Sequence, residues 1–303
     1  MIDILFIFKT LHTILGVSGC IFNVLLIYLA KFKSPSAIKS YATLIVNFAF
    51  TDFCVCFLDV FIEQRLIPAG GGLYFVSSGY CIYFGPYACH VGFGLMLHFL
   101  AHSLWSLLIS FSYRFYVLYY PAPKKSTMAF ILLLVYQPSL FQAVLYISSY
   151  NESNEVRETL QQTFPSYNLT ETVVSGNTNI LRFSALFTVL HMNLPIIPVY
   201  LGIILLRRKI IKRLTYSGVG ITGKAKVLHK QLLLALTYQA LLPGFYVFAV
   251  LSYACGQFGF IHHPALEYEQ AVTSRLLYLE LSYDIRNDCY QTESGWDEAL
   301  LNE

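Results

Sequence analysis

Six apolar runs of about twenty residues divide this chain, and lysine and arginine gather in every second connector between them. An α-helix rises about 1.5 Å per residue, so roughly twenty residues cross the ~30 Å hydrocarbon layer of a bilayer. The runs lie at about 10–30, 41–62, 90–113, 127–149, 182–206 and 231–254. Connectors 31–40, 114–126 and 207–230 hold fourteen of the twenty basic residues and no acid, with Arg207, Arg208, Lys209, Lys212 and Arg213 the densest group. Connectors 63–89 and 150–181 carry only Arg65 and Arg157 as bases, against Glu63, Glu152, Glu155, Glu158 and Glu171. Basic loops stay in the cytosol, so the pattern predicts an outside amino terminus and an all-α, polytopic transmembrane helix bundle with six clear spans.

Composition agrees: 56% hydrophobic and 12% charged residues exclude an ordinary soluble domain, in which about a quarter of the residues are charged. The net charge of +3 hides a segregation of sign across the membrane. Juxtamembrane bases that orient a helix and touch anionic lipid account for 207–213, so nucleic acid is not an expected partner. The first residues carry Asp3 rather than a basic stretch, and the first span is long enough to serve as an uncleaved signal-anchor. The chain holds no Gly-rich phosphate loop, nucleophile elbow or zinc signature, so neither an enzyme nor a cofactor is expected.

Connector 150–181 contains two glycosylation acceptors, Asn151-Glu152-Ser153 and Asn168-Leu169-Thr170, in a loop independently assigned to the outside. Asn168 is the better one, because Asn151 sits close to the membrane. Of the seven cysteines, Cys20, Cys54 and Cys56 lie within spans, where small apolar packing is the usual role. Cys81 and Cys89 flank the outer mouth of the third span in an oxidising compartment and are candidates for a disulfide. Two free thiols, or pairing with Cys255 at the outer end of the sixth span, are the alternatives.

The spans carry few polar groups. Asn23 stands in the first, and Asp52 near mid-depth in the second with Asp59 closer to the outer face. A carboxylate at the bilayer centre costs at least ~2.5–3.5 kcal/mol, so Asp52 should face the bundle interior and mark function, or else pair with Asn23 and only fix packing. In the third span His98, His102, Ser106, Ser110 and Arg114 recur every four residues and so share one face, which lipid turns toward other helices. His98 and His102 have the i, i+4 spacing of a metal pair, but only His191 offers a third ligand, and interhelical hydrogen bonding is the simpler role. Pro195 and Pro198 in the fifth span and Pro243 in the sixth bend their helices and give joints for movement.

Asn23, Asp52, Tyr113-Arg114 at the end of the third span and mid-helix Pro243, each on its proper span, together resemble the heptahelical G-protein-coupled receptors. The stretch Cys81-Ile-Tyr-Phe-Gly-Pro-Tyr-Ala-Cys89, followed by Leu107-Leu-Ile-Ser-Phe-Ser-Tyr-Arg114, looks more specifically like the nematode serpentine chemoreceptors, class delta among them. The likeness covers about residues 10–268. It implies a multi-pass plasma-membrane receptor of sensory cilia that detects a small, odorant-like environmental molecule and signals to a heterotrimeric G protein.

On that reading the ligand sits in the outer half of the bundle near His98, His102, His191 and Tyr246. Tyr113, Arg114, Pro243, Asn23 and Asp52 belong to the switch, in which ligand shifts a helix equilibrium and the inner half of the sixth span swings about Pro243.

Two departures stand out. Loop 150–181 has no cysteine, so the bridge that rhodopsin-like receptors make from the third span to that loop cannot form. Beyond 268, where a seventh span is expected, the chain turns polar: residues 267–303 hold nine acids and two bases. The expectation is therefore a bundle over 1–268 and a poorly ordered acidic tail over 269–303 on the outside. A non-signalling receptor relative is the main alternative. An ion-coupled secondary transporter would suit Asp52 and the broken helices, but the two halves show no inverted repeat. The topology predicts a glycosidase-sensitive mass shift of the expressed protein that Asn168→Gln reduces; unchanged gel mobility would contradict it.

Overall fold

The computed structural model of the chain describes residues 4–33, 39–69, 71–165, 169, 172–216, 233 and 237. The helices α1 (Ile4–Phe32), α2 (Lys39–Ile62), α3 (Pro86–Val117) and α4 (Lys125–Ser148) form the bundle, together with α6 (Phe183–Asn193) and α7 (Ile196–Tyr216), which follow one another. Five segments among the described residues are long and apolar enough to cross a bilayer: His12–Phe32, Tyr41–Ile62, Pro86–Val117, Lys125–Ser148 and Phe183–Leu214. These overlap the first five expected spans, with the third longer by a turn at each end and the fifth by about two turns at its inner end. The expected sixth span, 231–254, lies outside the described residues apart from Leu233 and Thr237, which are helical. The position of a seventh span and the tail 269–303 also lie outside them.

The side chains turned away from the bundle are those lipid would accept. Ile14, Ile21 and Val24 on α1, Phe130, Leu133, Leu134 and Val144 on α4, and Ile197, Leu201 and Leu205 on α7 are all exposed. Such a continuous apolar surface would aggregate in water. The fifth crossing is divided where Asn193-Leu194-Pro195 separates α6 from α7, because proline brings no N–H to the ladder. Pro198 falls in the first turn of α7, where that N–H is not required. A proline at 138 stands inside α4 as well.

The two outer connectors are not plain loops, and here the all-α expectation needs correction. Strands β1 (Gln64–Ala69) and β2 (Gly72–Ser77) pair antiparallel, with Ala69 opposite Gly72, and β3 (Val173–Asn177) pairs antiparallel with β2. The order is β1-β2-β3, with the short helix α5 (Ser153–Thr163) alongside. The sequence supports strands here: Leu-Tyr-Phe-Val and Val-Val are β-formers, and Gly70-Gly71 suits a two-residue hairpin. Pro68 is tolerated because β1 is an edge strand.

Alternation along the strands gives this sheet two buried faces. Leu66, Leu73, Phe75 and Val173 pack toward the bundle with Val55, Leu58, Ile62, Phe93, Met96 and Tyr146. Ile67, Tyr74, Val76 and Val174 pack toward α5 with Val156, Leu160 and Leu169. Burial pushes the Tyr74 phenol above its ordinary pKa, and the nearby Glu155 carboxylate adds to this.

Arg157 of α5 fastens the outer layer by donating to the carbonyls of Leu169 (2.7 Å) and Thr172 (2.6 Å). Gly176 has φ +156°, and a Cβ there would collide with the Leu73 carbonyl, so the β2–β3 approach requires glycine. Because β3 of one connector pairs with β2 of the other, the two connectors share one side of the membrane, as their scarcity of bases indicates.

Phe75 is the centre of the seam, fully buried with its ring 4.6 Å from that of Phe93 and 6.5 Å from that of His90. Phe75→Ala is expected to lower stability by about 3–5 kcal/mol, the usual cost of truncating a buried phenylalanine. Thermal unfolding of the detergent-solubilised protein checks this; a melting temperature within a degree of wild type would mean the cap does not bear on the bundle.

Candidate functional site

Helix α3 runs through the middle of the bundle and meets α2, α4 and α7 on different faces. All five residues of its four-residue polar repeat are buried: His98, His102, Ser106, Ser110 and Arg114. Lipid supplies no hydrogen bonds, so these groups turn inward. Toward α7 the face of α3 is apolar instead, with Leu107 and Phe111 against Val199, Ile203, Ile210 and Leu214.

Three side chains from α2 and α3 close a polar triangle at mid-depth. Asn47 Nδ2 donates to Ser106 Oγ at 3.0 Å, and His102 Nε2 lies 3.3 Å from Asn47 Oδ1 and 3.0 Å from Ser106 Oγ. Tyr136 of α4 covers it, with its ring stacked 3.5 Å from His102 and 5.6 Å from the ring of His98. One turn along α2, Thr51 donates to the Asn47 carbonyl at 2.8 Å and stands 3.5 Å from the Tyr136 hydroxyl. Asp52, fully buried, accepts from Ser103 at 3.5 Å. Sequence reasoning missed Asn47, Thr51, Ser103 and Tyr136. The i, i+4 spacing of Asn47 and Thr51 on an otherwise apolar helix was the available signal.

Asn23 does not pair with Asp52; its Nδ2 donates to the Gly19 carbonyl in its own helix at 2.9 Å. The polar group that ties α1 to α2 is instead His12, whose Nε2 lies 3.4 Å from both Asp59 Oδ2 and the Asp59 carbonyl. Lys9 and Glu63 make a second pair at 3.4 Å at the outer rim.

His191 is not with His98 and His102. It stands on α6, where its Nδ1 is 3.1 Å from Gln142 Oε1 of α4 and its ring stacks 5.7 Å from Phe187. Among the described residues no three His, Cys, Asp or Glu side chains come together as a metal site.

At the cytosolic end, the Arg114 guanidinium lies 4.1 Å from the centroid of the Tyr41 ring, and Tyr41 lies 5.6 Å from Tyr113. Arg114 is buried, and among the described residues its Nε and Nη2 have no hydrogen-bond partner. Bases of α7 meet other neighbours: Lys209 lies over Phe115 at 5.8 Å, Arg213 over Tyr119 at 5.0 Å, and Arg207 donates to Thr237 at 3.1 Å.

On the outer side Cys81 and Cys89 are joined as a disulfide, so Cys255 is not the partner of either. Cys20, Cys54 and Cys56 carry thiols that are not joined in disulfides. Asn151 lies two residues beyond Ser149, the residue that caps α4, and Ser153 of its acceptor triplet donates to the Val174 carbonyl at 2.7 Å. Tyr246, Pro243 and Asn168 lie outside the described residues.

Known proteins match across most of this length. The family model described as "Serpentine type 7TM GPCR chemoreceptor Srd" matches residues 8–278. Serpentine receptor class delta-19 of Caenorhabditis elegans is 45% identical over 265 residues, 86% of this chain and 78% of the relative. Class delta-18 of the same organism is 43% identical over 265 residues, 86% and 79% of the two chains, and class delta-1 is 31% identical over 275 residues, 89% and 73%.

The triangle generates a test of what each polar group does. Asn47→Ala leaves His102 and Ser106 short of a partner and should cost about 1–3 kcal/mol. Asp52→Asn, with one long hydrogen bond at stake, should cost less than about 1 kcal/mol. Melting temperatures in detergent that rank the two variants in the opposite order would overturn this assignment.

Proposed function

We propose that this chain, which belongs to the Srd family of serpentine seven-transmembrane G-protein-coupled chemoreceptors, detects a small environmental molecule and passes the signal to a heterotrimeric G protein. It is a multi-pass membrane protein, and the family is one of chemoreceptors rather than enzymes. The plasma membrane of a sensory cilium is the place where such a receptor would meet its ligand.

The observation that carries the reading is Arg114. A guanidinium buried beneath Tyr41 with two nitrogens lacking an acceptor is a costly arrangement. Any state in which an acceptor reaches those nitrogens is favoured by comparison. An opening of the cytosolic ends of the helices would provide that state, with a G-protein carboxylate or backbone carbonyl as the acceptor. The exposed bases of α7 would add long-range attraction for an acidic docking surface.

The ligand acts on the other half of the bundle. It need only bind the open arrangement better than the closed one, and the population shifts by that difference in affinity. Tyr113 belongs to the switch through its packing beside Tyr41. Asn23, Asp52 and Pro243 keep the switch roles that the family likeness gives them, and Tyr246 and His191 keep the ligand. His98 and His102, stacked under Tyr136, serve better as the rigid centre about which the helices move than as a ligand contact.

Arg114→Ala should reduce ligand-evoked G-protein activation to background in cells that display the receptor normally, as judged by surface labelling of an amino-terminal tag. Undiminished signalling would refute the switch role.

A further inference from the structure

The cap closes the outer ends of α2, α3 and α4 with apolar side chains, Phe75 against Phe93 and Tyr146 among them. Among the described residues that seam is apolar and offers a water-borne molecule no polar path. The seam between α4 and α6 is built differently. On α6, Ser184, Thr188 and His191 follow one another at spacings of four and three residues and so share a face. His191 on that face meets Gln142 of α4. Gln142 is fully buried, and among the described residues its Nε2 has no hydrogen-bond partner; the buried Ser184 hydroxyl has none among them either.

A carboxamide N–H2 held without an acceptor inside a membrane is costly, which marks a place where an acceptor belongs. The surroundings are aromatic. Phe187 lies 5.5 Å from Phe141 and 6.1 Å from Phe183, and both Phe141 and Phe183 are exposed on the surface that faces lipid.

Resting on the chemoreceptor reading above, we infer that the α4–α6 seam at Gln142 and His191 binds a small, uncharged, lipid-soluble molecule bearing an acceptor oxygen, such as a ketone or aldehyde, which enters sideways from the bilayer past Phe141 and Phe183. Gln142 Nε2 donates to the ligand oxygen. His191 holds the carboxamide in place through Oε1, and Phe187 packs on the hydrocarbon part. An apolar molecule concentrates in the bilayer before it binds, so the seam samples it without an aqueous path. A charged ligand is disfavoured, since nothing described at this seam carries an opposite charge.

The test uses the full chain in lipid nanodiscs and an aliphatic ketone carrying a photoreactive diazirine, with labelled peptides mapped by mass spectrometry. Labelling is expected on α4 near Gln142 or on α6 near His191. Excess unlabelled ketone should suppress it and the alkane of equal length should not. Gln142→Leu should weaken it about tenfold, the effect of one lost hydrogen bond. A sulfonated ketone probe that cannot enter the bilayer should fail to label.

Label elsewhere in wild-type protein, or equal competition by the alkane, overturns the site whether or not the variant folds. Equal labelling by the sulfonated probe overturns the sideways route. Binding is read without G protein, so signalling that persists while labelling is absent strikes this site alone. Labelling that persists in a protein unable to signal strikes the receptor reading alone.

Discussion

Everything in this molecule follows from lipid being a solvent without hydrogen bonds. Each polar group carried into the bilayer has to find its partner on a neighbouring helix. Helix α3 meets that demand most directly, since its buried repeat of His98, His102, Ser106, Ser110 and Arg114 runs from mid-depth to the cytosolic end of the crossing. The Asn47–His102–Ser106 triangle fixes α2 against α3, and Tyr136 brings α4 onto the same point. A neighbouring face of α3 is apolar and meets α7 through side-chain packing. One face is held by directional bonds and the other by packing alone. That division is what a helix bundle needs if part of it is to move while the rest stays still.

The outer cap solves a second problem. A connector lying on a membrane protein has to bury its own backbone polar groups, and a three-stranded sheet does so by pairing them. With α5 above and the bundle below, both faces of the sheet are covered, and successive residues of β2 point alternately into the two layers. Arg157 then fastens α5 to the carbonyls of Leu169 and Thr172. The disulfide joining Cys81 to Cys89 ties the segment before α3 to the first turns of that helix. The cap is thus continuous with the outer end of α3, and the outer end of the bundle is a built layer rather than a set of free loops.

At the cytosolic end the same physics leaves a debt outstanding. Arg114 is buried by stacking on Tyr41, which satisfies its plane and not all of its N–H groups. At the outer end Gln142 is in a comparable position, bonded through Oε1 and unmet at Nε2. Unmet donors at the two ends of one bundle suit a protein that takes a small molecule on one side and a protein partner on the other.

The sequence by itself determined the solvent and the first five crossings, because hydrophobic length is a local property that needs no knowledge of neighbours. It also determined that the α3 stripe is buried, since a spacing of four residues defines a face whatever the face touches. Tertiary structure alone decided the partners. Asp52 faces Ser103 and not Asn23, His12 reaches Asp59, and His191 joins Gln142 rather than the other histidines. It decided too that two polar connectors, distant in the chain, share one sheet. Pairing of that kind depends on how helices are rotated and spaced about one another, and that follows from the packing of all their side chains together rather than from the pattern of any one segment.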